Sequence, residues 1–137
     1  MTTKLVIDTN VVLDLLVFAD PAAQPLQAAL RNRQVTWLAS SGMRVELTRV
    51  LGYPRVAPRL VGAGLNAMAV LEEFDRLVDQ VEHAPRAPCR CSDPDDQLFI
   101  DLAVQHGALL LSKDAAVLAL RRPLQGLGVR VLSAWPG

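Results

Sequence analysis

The feature that most constrains this 137-residue chain is a carboxylate set at the junction of two apolar segments. Lys4-Leu5-Val6-Ile7 is short, apolar and partly β-branched, and it stops abruptly at Asp8-Thr9-Asn10. The nearly unbroken apolar stretch Val11 to Phe18 follows at once. This pattern predicts a buried strand that turns directly into a buried helix. Ligands of open parallel sheets bind beyond the carboxyl ends of the strands, so Asp8 stands where chemistry is usually done. Asp, Thr and Asn are also favoured helix caps. On this stretch alone, Asp8 has both a structural and a chemical explanation.

Strand-like and helix-like segments alternate along the rest of the chain. Gln24 to Leu30 has a short helical pattern after the break at Asp20-Pro21. Val35–Ala39 reads as a second buried strand, ended by Ser40-Ser41-Gly42. A helix from Met43 to Leu51 follows, with Met43, Leu47, Val50 and Leu51 as its apolar stripe. Glu46 borders that stripe, and Arg44 and Thr48 lie opposite. Gly52, Pro54 and Pro58 interrupt the pattern. Gly64 to Val81 then reads as one long amphipathic helix, with Leu65, Met68, Leu71, Phe74, Leu77, Val78 and Val81 on one side. Glu72, Glu73, Asp75, Arg76 and Asp79 form its solvated face.

After a proline-rich loop from Ala84 to Cys91, Asp93 is placed to cap a helix with Pro94 at its first position. Capping and the helix dipole suffice to explain Asp93 and Asp95. Asp96 fits the third position of a capping box, yet it also heads the apolar row of Phe99, Ile100 and Ala103. His106-Gly107 closes the helix. Leu109–Leu111 reads as a third buried strand and, like the first, ends in a polar step, Ser112-Lys113-Asp114. A helix from Ala115 to Leu120 and a last strand, Val129 to Leu132, complete the pattern. The expectation is one α/β domain over residues 1–137: three α/β/α layers around a mostly parallel sheet.

In such a sheet Asp8, Glu46, Asp96 and Asp114 can converge on the carboxyl edge. Lys113 is the one basic residue at a strand end there. Two carboxylates ~4 Å apart repel by about 4 kcal/mol at an effective dielectric near 20. A cluster of this kind protonates some of its members or binds a divalent cation. Hard oxygen donors in this number suit Mg²⁺ or Mn²⁺.

These pieces, taken in order, resemble the PIN domain, and within it the bacterial toxin-component group. The matching segments are Val6-Ile7-Asp8-Thr9-Asn10, Ser41 through Glu46-Leu47 and Leu51, and Cys91-Ser92-Asp93-Pro94-Asp95-Asp96 with Phe99, Leu102-Ala103 and Gly107 after it; the last is Leu110-Leu111-Ser112-Lys113-Asp114. The resemblance implies that Asp8, Glu46, Asp96 and Asp114 hold a catalytic Mg²⁺ or Mn²⁺. It implies that Asn10 orients the first aspartate and that Ser112 stands where a threonine is usual. It further implies an RNA substrate cleaved to leave a 5′-phosphate, and a cognate antitoxin protein as partner. Arg44, Arg49, Arg55, Arg59 and Lys113 are the candidate phosphate contacts. Asp14, one turn beyond Asn10, could line the pocket, but on an otherwise apolar helix it is expected rather at the solvent edge. The apolar but poorly patterned stretch from Gly52 to Gly64, with the early part of the long helix, is the candidate surface for a homodimer or the antitoxin.

Other function classes fit less well. The chain has only two histidines, His83 and His106, which disfavours a paired-histidine ribonuclease. A receiver domain wants an aspartate at the end of a middle strand, where this chain has Ala39-Ser40. A dinucleotide-binding domain wants a glycine-rich turn where it has Asp8-Thr9-Asn10. Cys89 and Cys91 lack the further ligands of a zinc site and read as reduced thiols. With 14 basic and 14 acidic side chains, a non-specific nucleic-acid coat is disfavoured. No run of about eighteen residues lacks a charge or a breaker, so no membrane span is expected and the cytoplasm is the default location. The rival reading is a catalytically silent PIN-like domain that binds a partner protein.

Overall fold

The structure, a computed structural model, describes residues 2–136. Five strands form one sheet: β1 (Thr3–Ile7), β2 (Val35–Ala39), β3 (Val78–Gln80), β4 (Leu109–Leu111) and β5 (Val131–Leu132). All neighbours pair in parallel, in the order β3-β2-β1-β4-β5. Eight α-helices accompany them. These are α1 (Thr9–Leu16), α2 (Gln24–Arg31), α3 (Ser41–Leu51), α4 (Ala57–Gly62), α5 (Ala67–Leu77), α6 (Gln97–His106), α7 (Ala115–Leu118) and α8 (Arg121–Gly126). Short 3₁₀ turns at Pro21–Ala23 and Pro94–Asp96 lead into α2 and α6. The architecture is the expected three-layer α/β/α.

Burial explains the apolar strand sequences. Successive strand residues face opposite sides, and Leu5, Val6 and Ile7 are all buried, as are Leu109, Leu110 and Leu111. Both faces of the central strands are therefore covered. Trp37 of β2 meets Phe74 of α5 edge-to-face, with ring centroids 5.2 Å apart.

The winding positions the functional residues. From β1 the chain moves outward through β2 to β3, then crosses back to lay β4 on the other side of β1. The β1–β4 boundary is thus the switch point of the sheet, where a ligand crevice opens at the carboxyl ends.

Three expectations are corrected. The segment from Gly64 to Val81 is not one helix: α5 ends at Leu77 and β3 begins at Val78 without an intervening loop. Val78 and Val81 thus continue the apolar sequence in an extended conformation, and Met68 faces solvent while Val70, Leu71 and Phe74 are buried. The helix expected over Ala115 to Leu120 ends at Leu118, and a further short helix that was not expected, α8, follows it over Arg121–Gly126. The final strand starts at Val131 rather than Val129.

The loop before α6 is held by two polar side chains of that helix. Buried Asp101 accepts from the Ala87 backbone N–H at 2.9 Å and from Gln97 Nε2 at 2.8 Å. Gln97 also donates to the Cys89 carbonyl at 2.9 Å and accepts from the Cys91 N–H at 2.7 Å. Asp101→Ala would strand the N–H of buried Ala87, a loss of about 1–3 kcal/mol. Urea unfolding should read that loss; a change within about 0.5 kcal/mol, ordinary for a surface site, would show that the loop is held otherwise.

Candidate active site

The register of β1 against β4 builds the first half of the site. Ile7 pairs with Leu111, and the Asp8 N–H donates to the Leu111 carbonyl at 2.9 Å, so Asp8 and Ser112 emerge side by side. The Ser112 hydroxyl, fully buried, donates to Asp8 Oδ2 at 2.7 Å and accepts from the Asp114 N–H at 3.1 Å. Asp8 and Asp114 also cap helices: Asp8 accepts from the Asn10 N–H at 3.3 Å and Asp114 from the Ala116 N–H at 2.8 Å. Asp8 therefore caps α1 through Oδ1 and takes the Ser112 hydroxyl on Oδ2.

Asp96 supplies the third carboxylate. Asp93 accepts from the Asp95 N–H at 3.0 Å and so takes the capping work of this segment. Asp96 makes no side-chain cap, and its Oδ2 is buried without a hydrogen-bond partner. One carboxylate oxygen from each of Asp8, Asp96 and Asp114 lies within 4.8 Å of the others. A buried oxygen without a partner, on one of three clustered carboxylates, fits a site that could hold a hard divalent cation.

Electrostatics follow the geometry. Burial, then the charge of Asp8 and the proximity of Asp114, push Asp96 up to about 8. Burial also raises Asp8, although the Ser112 hydroxyl opposes the shift. Glu46 stands just outside the triad. It is held by Thr9, whose hydroxyl donates to Oε2 at 2.5 Å, and burial raises its pKa with a contribution from Asp8. Thr9 is a buried site residue that the sequence reading treated only as a cap. The signal was its position between Asp8 and Asn10.

The remaining candidates divide clearly. Asn10 contacts Asp8 through its backbone, and its side chain lines an adjoining cleft instead. That cleft, of about 280 Å³, is also lined by Asp14, Phe18, Arg55, Lys113 and Asp114. Asp14 is not at the solvent edge as expected: it is buried and ion-paired with Lys113. Arg44 is turned away into a bidentate pair with Asp75 of α5 at 2.8 and 2.9 Å, which holds the Asp75 carboxyl below its ordinary range. Arg49 lies 3.8 Å from Glu46, and the Arg59 guanidinium sits 4.3 Å from the centroid of the Phe18 ring. Cys89 and Cys91 are free thiols, raised by burial.

A raised carboxylate has a defined effect on stability. Between the ordinary 3.8 and about 8, folded Asp96 holds more proton than the unfolded chain does. Stability therefore rises as pH falls through that window and is lowest above it. In EDTA, Asp96→Asn should melt higher than the wild type at pH 8, and the gap should narrow toward pH 5. A variant that melts lower at pH 8 would show that the acids do not oppose one another in the fold.

Comparison with known proteins agrees with this geometry. The PIN domain family matches residues 4–116. No curated protein matches. Among solved structures, a chain in the crystal structure of VapBC2 from Rickettsia felis, bound to a DNA fragment from their promoter, superposes with a TM-score of 0.62. The two are 14% identical, and the match covers 94% of this chain and 98% of that one. A likeness at this identity speaks for the fold. The family match spans the four acids and Ser112, and the chain belongs to the PIN domain family.

Proposed function

We propose that this PIN domain is a Mg²⁺- or Mn²⁺-dependent endoribonuclease and the toxin component of a toxin–antitoxin pair. The observation that carries the reading is the buried, unpartnered Oδ2 of Asp96 in a carboxylate triad at the switch point of the sheet. A stability-optimised fold would pair or delete such a group. Family membership supports nuclease chemistry, and the likeness to VapBC2 supports the toxin assignment.

Asp8, Asp96 and Asp114 would hold the cation, with Glu46 alongside. When bound, a Mg²⁺ or Mn²⁺ neutralises charge on phosphate oxygens and acidifies water. The chain's own residues do the rest. Ser112 fixes the orientation of Asp8 and ties it to the backbone of Asp114. Half-buried Glu46, its carboxyl raised, is suited to accept a proton from the attacking water. Arg55 and Lys113 line the cleft beside Asp114, where they would meet the phosphates of an RNA strand.

The antitoxin and homodimer readings rest on surface character. Within Gly52–Gly64, Val56 and Leu60 pack into the core, so only part of that stretch is available to a partner. Tyr53 and Val61 remain exposed, Val61 at 77%, as does Met68 of α5. Exposed apolar side chains at these positions fit a protein partner. The chain's location is proposed as cytoplasmic; among the described residues no helix is long and apolar enough to cross a membrane.

Single-stranded RNA should be cleaved with Mn²⁺ or Mg²⁺ and left intact in EDTA. Asp8→Asn and Asp96→Asn should each abolish cleavage, whereas Asp93→Asn should keep turnover with its cap intact, and Asp93→Ala should keep turnover and lose about 0.5–2 kcal/mol of stability with its cap. A folded wild type inert toward RNA with either cation would favour the silent partner-binding domain. Mn²⁺ at a hundred times its dissociation constant should stabilise the wild type by about 2.7 kcal/mol and either Asn variant far less.

The arginines give a separate check. Arg55→Ala should weaken RNA binding and lower the slope of log affinity against log salt by about one. Arg44→Ala should leave that slope unchanged, because its guanidinium is occupied by Asp75. The reverse pattern would mean that the strand crosses α3 instead.

A further inference from the structure

The amino end of the sheet, opposite the acids, carries a cleft of about 510 Å³, within the range of small-molecule sites. Every ionisable side chain lining it is a base: Lys4 at the start of β1, His106 at the end of α6, and Arg130 just before β5. Among the described residues no carboxylate side chain lines it, in a chain with as many acidic as basic side chains. None of the three bases is ion-paired among the described residues. Trp135 completes the wall, half-buried and packed on one side against the core. Gly107 and Gly128, at φ 59° and 85°, also line it, and a side chain at either would meet nothing within 4 Å. The wall is therefore open as well as basic.

We propose that this cleft binds a nucleoside phosphate, the phosphate drawn by its basic side chains and the nucleobase stacked on the Trp135 indole. The bases call for an anion, and guanidinium and ammonium groups are the usual partners of phosphate. An aromatic face beside them calls for a flat ring, and every nucleobase offers one. A simple anion would leave the indole without a role, and an apolar ligand would leave the cations without one. The cleft is separated from the acids by the length of β1, roughly 15 Å, so this site stands whether or not the acids are catalytic. A free mononucleotide and one nucleotide of a single strand present the same chemistry.

Tryptophan fluorescence reads the site directly. The only other tryptophan, Trp37, is buried against Phe74 and serves as a constant background. The wild-type chain in EDTA is titrated with AMP, oligoadenylate, adenosine and inorganic phosphate. AMP or oligoadenylate should quench saturably, with adenosine and phosphate each at least about tenfold weaker. Lys4→Gln and Arg130→Gln should each weaken binding about tenfold with unchanged melting temperature, and Trp135→Ala should abolish it by calorimetry. Tighter binding of oligoadenylate identifies a strand as the source, and equal or tighter binding of AMP identifies the free nucleotide. The proposal is overturned if neither quenches at millimolar concentration, if phosphate alone matches AMP, if oligoglutamate binds more tightly than either, or if the Lys4→Gln/Arg130→Gln double variant binds undiminished.

Discussion

The site depends first on one parallel pairing, that of β1 with β4. Two residues that lie 104 positions apart in sequence, Asp8 and Ser112, are joined there by a 2.7 Å hydrogen bond. The alignment is set by Ile7 opposite Leu111 and by the bond from the Asp8 N–H to the Leu111 carbonyl. A slip of one residue would turn Asp8 toward the other face and bring Leu111 beside it in place of Ser112. The burial of Leu5, Val6, Ile7 and the three leucines of β4 is thus what fixes the chemistry. The apolar strands act as a ruler for the polar residues at their ends.

Charge is managed in two ways across the molecule. Outside the triad, acids are matched: Asp75 by Arg44, Asp14 by Lys113 and Glu73 by Arg76. At the switch point they are gathered and left without a cation of the chain's own within the triad. The exposed pairs among them, Arg44–Asp75 and Arg76–Glu73, contribute little to stability. The consequence of the matching is to remove Arg44 and Lys113 from the neutralisation of the triad. A fold that concentrates like charges in this way gives up stability at that place.

Much of this was legible in the sequence because strong local signals agreed with the fold. The apolar runs ending in Asp8 and in Ser112-Lys113-Asp114 are unambiguous, and Asp93-Pro94 with His106-Gly107 bracket α6 as helix chemistry requires. What escaped was decided by tertiary contacts. Leu77-Val78 has no turn residue between helix and strand, and the helical period continues through it; only pairing with β2 makes Val78–Gln80 a strand. Arg44 looked free because Asp75 is 31 positions away. Asp14 looked peripheral because nothing in its helix announces that Lys113 will reach it. Asp96 was ambiguous between cap and ligand until Asp93 was found to have taken the capping bond.

The Ser112 hydroxyl has a single proton, and it is committed to Asp8. Asp8 is thereby favoured as the anion, and a proton taken up by the cluster falls to Asp96, beside Asp114, whose proximity favours the protonated form. Near neutral pH that proton occupies the ground a divalent cation would need. For a cation bound as proposed, uptake would be an exchange rather than an addition: loading would expel a proton, and acidification would compete with it. A cation held here as proposed would thus have an affinity that depends on the surrounding pH, set in part by the serine that orients Asp8.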